Sequence, residues 1–386
     1  MRVVYFTESL YPLVDGVSRT LARLFDTLLA EQVDFRIVSP FVPDGSVPWR
    51  DRVIPARYAH FPPYPDYRVS RPGGAELRRE LEGFDPHLVH VVSPTPMAIW
   101  AQRYARRRGI PAVASFHTHF VSYFRFYGVG ALERLGWRGL RWFYRRSARV
   151  YAPTMTIARE LESHGIGPVE IWSRGIDLEA FHPRRRDSGL RASLGADDST
   201  PLLLLVSRLV KEKDLADLIG IDRALRERGV AFRLALVGEG PMRQELEAAL
   251  PDAAFAGHRS GEDLARWYAS ADVFIFPSTT ETLGNVVLEA LASGLPAVVV
   301  DRGGPQDLVA DGETGYIAPS NDVAAIAERV ARLLRDAPLR ARMSEAARRG
   351  AGDRDWHTIN RGLIDSYARL LGRPGTTRAA AHARDE

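Results

Sequence analysis

Residues 273–300 read VFIFPSTTETLGNVVLEALASGLPAVVV. Val273–Phe276 and Ala297–Val300 are short apolar runs, rich in β-branched and aromatic side chains, that read as buried strands. Between them, Gly284–Ser293 carries helical spacing. Strand, helix and strand in that order make the βαβ unit of a parallel sheet. The same alternation extends upstream through strands at Leu202–Val206 and Phe232–Val237. Helices are expected near Leu215–Arg228, Pro241–Leu250 and Gly261–Ser270. An earlier series has strands at Val3–Phe6, Phe35–Val38, Leu88–Val92, Ala112–Phe116 and Val150–Ala152, with helices at Val17–Leu29 and Pro96–Arg107. The polar stretch HPRRRDSGLRASLGADDSTP, residues 182–201, reads as the linker region between the two series. Helical periodicity returns at Ala324–Arg335, Leu339–Arg348 and Trp356–Leu371. The fold class is therefore α/β, with two doubly wound, Rossmann-like domains and a cleft between them as the expected ligand site.

The chain has 386 residues, 45% hydrophobic and 26% charged, which suits two domains with real cores. A net charge of +4 is too small for a histone-like nucleic-acid binder, so no nucleic-acid partner is expected. The absence of cysteine excludes disulfides, thiolate metal sites and cysteine nucleophiles, and favours the cytoplasm. The start MRVVYFTES is not a signal peptide, and no apolar run is long enough to span a bilayer. Several familiar motifs are missing: no GxxxxGK[ST], no HExxH and no GxSxG. The string Gly238-Glu239-Gly240 is only a fragment of a dinucleotide fingerprint.

What remains points to one chemistry. Gly16 sits in a loop that runs from the first strand into a helix, where backbone amides can approach a phosphate; a plain turn is the structural alternative. Arg208 and Lys213 leave the first strand of the second series at its carboxyl end. They offer a fork and a point charge suited to a diphosphate, or else a solvated loop. Glu281 and Glu289, read along one helix, would lie ~12 Å apart, about the separation of sugar and ribose in a nucleotide sugar. Each carboxylate can accept from paired hydroxyls, with amides of Thr282, Leu283 and Gly284 between them. Glu281 has an alternative as a first-turn carboxylate facing the macrodipole. Glu289, in the apolar run VVLEALA, needs a partner. His117 and His119 close the fourth strand. No third ligand accompanies them, so a hydrogen-bonding His117 is favoured over a metal pair.

The run ETLGNVVLEALASGLPAVV resembles the Glu-x7-Glu signature of the retaining, nucleotide-sugar-dependent glycosyltransferases of family 4, which have the GT-B fold. SFHTHF, RGIDLEAFHP, VSRLVKEKDL, VGEGP, ASADVFIFPS and GGPQDLVADGETGYI support the likeness in order. The resemblance implies a first domain over 1–176, a donor domain over 177–355, a helix over 356–372 crossing back, and a flexible tail over 373–386. It implies that Gly16 and Gly238 approach the donor and that Arg208 and Lys213 neutralise its diphosphate. Glu281 would then hold the sugar with Thr282, Leu283 and Gly284, Glu289 the ribose, and His117 the reacting centre. His258 and Arg259 would meet the base. The catalytic set that the resemblance implies is His117, Glu281, Arg208 and Lys213, with no metal and no cofactor.

Tyr123 and Tyr127 are candidate acceptor-side aromatics. The stretch Trp137–Arg149 interleaves aromatics with arginines and could lie on an anionic membrane, or else be core with a solvated face. The motif details are nearest the glycolipid-type mannosyl- and sulfoquinovosyl-transferases. The expected reaction is hexose transfer, mannose from GDP-mannose as first choice, to a lipid or glycolipid acceptor at the inner membrane face. A UDP-sugar-dependent glucosyl or sulfoquinovosyl transferase, a same-fold epimerase or hydrolase, and a non-enzymatic basic module binding membrane or nucleic acid through Trp137–Arg149 are the competing readings.

Overall fold

The apolar runs form two parallel sheets in the computed structural model, which describes residues 1–61, 64–119, 121 and 132–373. In the first sheet, β1 (Arg2–Phe6) pairs with β2 (Asp34–Ser39), and β2 with β3 (Val53–Pro55). A separate antiparallel hairpin, β4 (Tyr58–Phe61) and β5 (Tyr64–Ser70), follows. The chain then returns to the other side of β1 through β6 (Leu88–Val91), β7 (Ala112–Ser115), β8 (Arg149–Ala152) and β9 (Val169–Ile171). The second sheet holds β10 (Leu202–Val206), β11 (Arg233–Val237), β12 (Ala254–Gly257), β13 (Val273–Phe276), β14 (Ala297–Val300) and β15 (Gly315–Ala318). Its order is β12-β11-β10-β13-β14-β15. Of the described residues, one compact unit contains 1–61, 64–119, 121, 132–174 and 356–373, and the other contains Gly175–Asp355.

β10 shows why the strands read as unbroken apolar runs. Leu203 and Leu205 pack with Leu218, Ile221 and Leu225 of the helix Ala216–Glu227. Leu202, Leu204 and Val206 face the other way, onto Trp267, Tyr268, Val287 and Leu291. A strand covered by helices on both faces has no position for a polar side chain.

In the first unit, Phe25 stacks on Phe35 at 5.4 Å while Tyr5 and Trp49 meet Phe25 edge-on. The helix Trp356–Leu370 joins this core through Leu363, Ile364 and Tyr367. His90 Nδ1 lies 2.6 Å from the Tyr367 hydroxyl, and its Nε2 lies 2.9 Å from Ser115 Oγ. Burial pulls His90 down to about 3, so it is a neutral structural link. Trp172 Nε1 donates to Asn360, whose amide donates to Arg23 O and Thr27 Oγ1.

The stretch 182–201 is not a linker. It lies within the second unit as a short turn at Pro183–Arg185 and a helix at Ser188–Ser193. Its polar residues are anchors: Arg191 and Arg186 donate to Asp272 at 2.6 and 2.8 Å, and the Leu202 amide donates to Asp272 Oδ2 at 2.7 Å. Burial alone would raise the Asp272 carboxyl, but these donors outweigh it and hold it below its ordinary value.

Asp272→Asn should cost about 3 kcal/mol, because Arg191 is left buried without its counter-charge. A depressed folded pKa contributes stability above the unfolded pKa that fades as pH falls through the folded value. The difference between wild type and variant in denaturant midpoints should therefore shrink below pH ~4. A pH-independent difference would show that charge plays no part.

Candidate active site

The second sheet reverses direction between β10 and β13, where the chain has run out through β11 and β12 and returned. Loops leaving the carboxyl ends of two such strands diverge and leave a crevice. Arg208 and Lys213 lie on the loop after β10, and Glu281 on the loop after β13. The structure brings two of these together: Lys213 Nζ donates to Glu281 Oε1 at 2.5 Å. The Lys213 side chain is 9% exposed and that of Glu281 26%, so the carboxylate keeps a wet face. Arg208 stands away from them, its side chain 67% exposed and 3.6 Å from Glu212.

The two loops are tied by more than this pair. Asp214, in the left-handed region at φ 54°, accepts from both the amide and the hydroxyl of Thr279 at 2.8 Å. Thr280 Oγ1 donates to Glu212 O at 2.8 Å. Burial pushes the Asp214 carboxyl up, against the pull of the Thr279 bonds. From the far side, the Gly304 amide donates to Glu281 O. A Cβ on Gly304 would fall 2.1 Å from Thr282 O, so only glycine permits this closure.

The helix after β13 begins at Asn285. Glu281 therefore lies in the loop before the helix, and the helical spacing that put it ~12 Å from Glu289 does not hold. Glu281 is likewise not a first-turn carboxylate. Thr282, Leu283 and Gly284 are buried in the same loop. Glu289 is on the helix, and its partner is Tyr268, whose hydroxyl donates to Oε2 at 2.9 Å. Gly238 brings the loop after β11 against Ser207, where a Cβ would lie 1.8 Å from the carbonyl oxygen. The Gly238 amide also donates to Gly257 O. His258 is exposed just beyond β12, and Arg259 is tied to Ala256 O and Asp263.

In the first unit, Gly16 opens the helix Gly16–Ala30. Asp15 caps that helix, accepting from the amides of Val17 and Ser18 at 2.8 and 2.7 Å. Those two amides are thus already engaged by a carboxylate. His117 follows β7, and its Nδ1 accepts from Arg174 Nη2. His119 Nε2 lies 3.0 Å from Glu160 Oε1, which gives it a structural partner. Tyr123 and Tyr127 lie outside the described residues.

Two residues escaped the sequence reading. Arg174, inside the quoted RGIDLEAFHP, is 5% exposed. Glu8 lies beyond β1 at the reversal point of the first sheet and is 2% exposed. Burial raises its carboxyl to about 7 against hydrogen bonds from Thr95 and Ser70. Its only signal in the sequence is a carboxylate directly after an apolar strand.

Residues 14–180 match the family model Glycosyltransferase Family 4, and residues 188–350 match Glycosyl transferases group 1. A GDP-mannose-dependent alpha-mannosyltransferase of Mycobacterium tuberculosis is 34% identical over 98% of this chain and 99% of its own. The chain belongs to glycosyltransferase family 4. The sulfoquinovosyl transferase SQD2 of Arabidopsis thaliana is 33% identical over 79% of this chain and 61% of its own. Anabaena HepE, solved in complex with UDP, covers 96% of this chain and 100% of its own with a TM-score of 0.74 at 18% identity. The transferase therefore has the GT-B fold of two Rossmann-like domains, and its reaction is retaining glycosyl transfer.

Asp214→Ala is expected to lower transfer by about a hundredfold, because the loop carrying Glu281 loses its tie and shifts. Steady-state rates beside a thermal melt check this. A wild-type rate in a folded variant would show that the tie does not matter for catalysis.

Proposed function

We propose that this transferase moves mannose from GDP-mannose to a glycolipid acceptor at an anionic membrane surface. The observation that carries the reading is the Lys213–Glu281 pair at the reversal point of the second sheet. A sugar diphosphate offers what each member seeks, an anion for the lysine and hydroxyls for the carboxylate. On binding, the diphosphate takes Lys213 and draws in the exposed Arg208 fork, and Glu281 turns to the sugar. Backbone of Thr282, Leu283 and Gly284 supports the sugar. Gly16 and Gly238 allow close approach to the diphosphate, Glu289 accepts from the ribose hydroxyls, and His258 with Arg259 meets the base. His117 donates to the transferring sugar. The mannosyl donor is favoured by the full-length likeness to GDP-mannose-dependent relatives.

In the reaction, the bond from the anomeric carbon to the leaving phosphate oxygen breaks through an oxocarbenium-like state. The acceptor oxygen bonds to that carbon on the same face, and its proton passes to the leaving phosphate. Lys213 and Arg208 stabilise the charge that develops there, so no metal is required. GDP-mannose turnover should persist in EDTA and exceed that of UDP-glucose. Lys213→Ala should weaken GDP and GDP-mannose alike by about tenfold or more in calorimetry, as expected for a lost charged hydrogen bond. Preference for a UDP-sugar would redirect the assignment toward glucosyl or sulfoquinovosyl transfer. Equal affinity in wild type and variant would remove Lys213 from the site.

The membrane part rests on the helix Glu133–Tyr144. Trp137 itself is core: its ring stacks on His164 at 3.7 Å and meets His119 edge-on. Arg149 pairs with Glu170. The outer face instead carries Leu132, Leu135 and Trp142, exposed by 48, 64 and 40%. Beside them runs a stripe of exposed arginines at 134, 138, 141 and 145. Arg146 lies 3.7 Å over the Trp142 ring. Slight burial, then the charges of Arg145, Arg106 and Arg103, pull its guanidinium below the ordinary value, so the basic patch continues onto the helix Pro96–Arg107. Apolar side chains flanked by arginines suit the interface of an anionic bilayer.

Flotation should show binding to phosphatidylcholine vesicles only after phosphatidylglycerol is added. Arg138→Glu with Arg145→Glu should reduce binding by more than about tenfold, at ~1 kcal/mol for each basic residue removed. Equal binding to neutral vesicles would overturn this part.

A further inference from the structure

Arg174 is a buried guanidinium with no carboxylate partner among the described residues. Its side chain lies 5.4 Å from the Trp172 ring, and Nη2 donates to His117 Nδ1. Among the described residues no carboxylate pairs with it, and Nη1 has no hydrogen-bond partner. Arg191, equally buried, has Asp272. Desolvation alone pulls Arg174 down to about 10, still charged at neutral pH. A buried charge without a counter-ion is costly, so its one clear contact, to His117, calls for an explanation.

A guanidinium has donors and no acceptor, so the ring nitrogen it faces must accept. A neutral histidine accepting at Nδ1 carries its proton on Nε2. Protonating the ring would set N–H against N–H and place a second positive charge beside the first. The Trp172 ring meets the imidazole edge-on at 5.5 Å and fixes its plane. Among the described residues, Arg174, Trp172 and His90 are groups that face His117. His90 is neutral and held between Tyr367 and Ser115. Burial first, then the charge of Arg174, disfavours the imidazolium.

We propose that Arg174 is a positioning residue that locks His117 as a neutral ring with its proton on Nε2. His117 can then serve transfer only as a hydrogen-bond donor, never as a proton shuttle. This rests on the reading of His117 as a sugar-contacting group, and it adds the tautomer, the agent that sets it and the exclusion of acid–base work.

The test is nitrogen NMR on the full chain labelled with 15N-histidine, the His117 signal assigned by its loss in His117→Gln. Wild type should show an unprotonated Nδ1 and a protonated Nε2, unchanged from pH 5.5 to 8. Arg174→Met should release the ring, giving mixed tautomers or an imidazolium at the acid end. Its kcat should fall at least about tenfold with donor KM little changed, and a new acid limb should enter its pH profile. Arg174→Lys, which keeps a charged donor, should restore the wild-type signal.

An imidazolium or an Nδ1–H ring in wild type overturns the proposal and needs no variant. So does a folded Arg174→Met variant with the wild-type signal. The underlying reading fails separately: His117→Ala with undiminished transfer would remove the ring from the reaction, whatever its tautomer.

Discussion

A lysine and a glutamate 68 residues apart in the chain meet at 2.5 Å, and the rest of the second unit is arranged so that they do. Their loops leave neighbouring parallel strands, β10 and β13, at the one place where the sheet changes direction. Elsewhere successive loops lie side by side, whereas here they part. The crevice between them is tied from two directions. Asp214 and Glu212 hold Thr279 and Thr280 from one direction, and the glycines at 303 and 304 close on Glu281 and Thr282 from the other. The ion pair keeps both charged groups satisfied while the carboxylate stays partly exposed.

Buried charge is handled differently at three places. Asp272 is neutralised by two arginines and a backbone amide, and the result is anchorage of residues 182–201. Glu8 has hydroxyl and backbone partners and, among the described residues, no cation, and burial carries its carboxyl to about 7. Arg174 has neither anion nor full hydrogen bonding among the described residues, and it faces a histidine. The first arrangement is one of stability. A group left without a counter-charge lowers stability, which is why it draws attention to the corner it occupies.

The helix Glu133–Tyr144 holds side chains whose place follows from local spacing beside others whose place does not. Alternating arginines and aromatics pointed to an interface, and the arginines do form an exposed stripe. The two tryptophans look alike in sequence, yet Trp137 is core and Trp142 is exposed. Which one faces inward depends on His164 and His119, supplied by other elements. Glu281 teaches the same lesson about backbone. Its spacing to Glu289 looked helical, but the helix starts only at Asn285.

The sequence alone determined that two parallel sheets would form, because runs such as Leu202–Val206 have no polar position and can only be buried on both faces. It also marked Lys213 and Glu281, on loops beyond strands, and Glu289, inside an apolar helical run, as charged residues to follow. The short strands Val53–Pro55 and Val169–Ile171, partly exposed, carried too few residues for any period to show. Only tertiary structure decided that Lys213 rather than Arg208 meets Glu281, that Tyr268 answers Glu289, and that Arg174 sits against His117. Those pairings depend on strand order and on which loop crosses which. Both are set by packing between segments distant in the chain, and local patterns of side chains do not encode them.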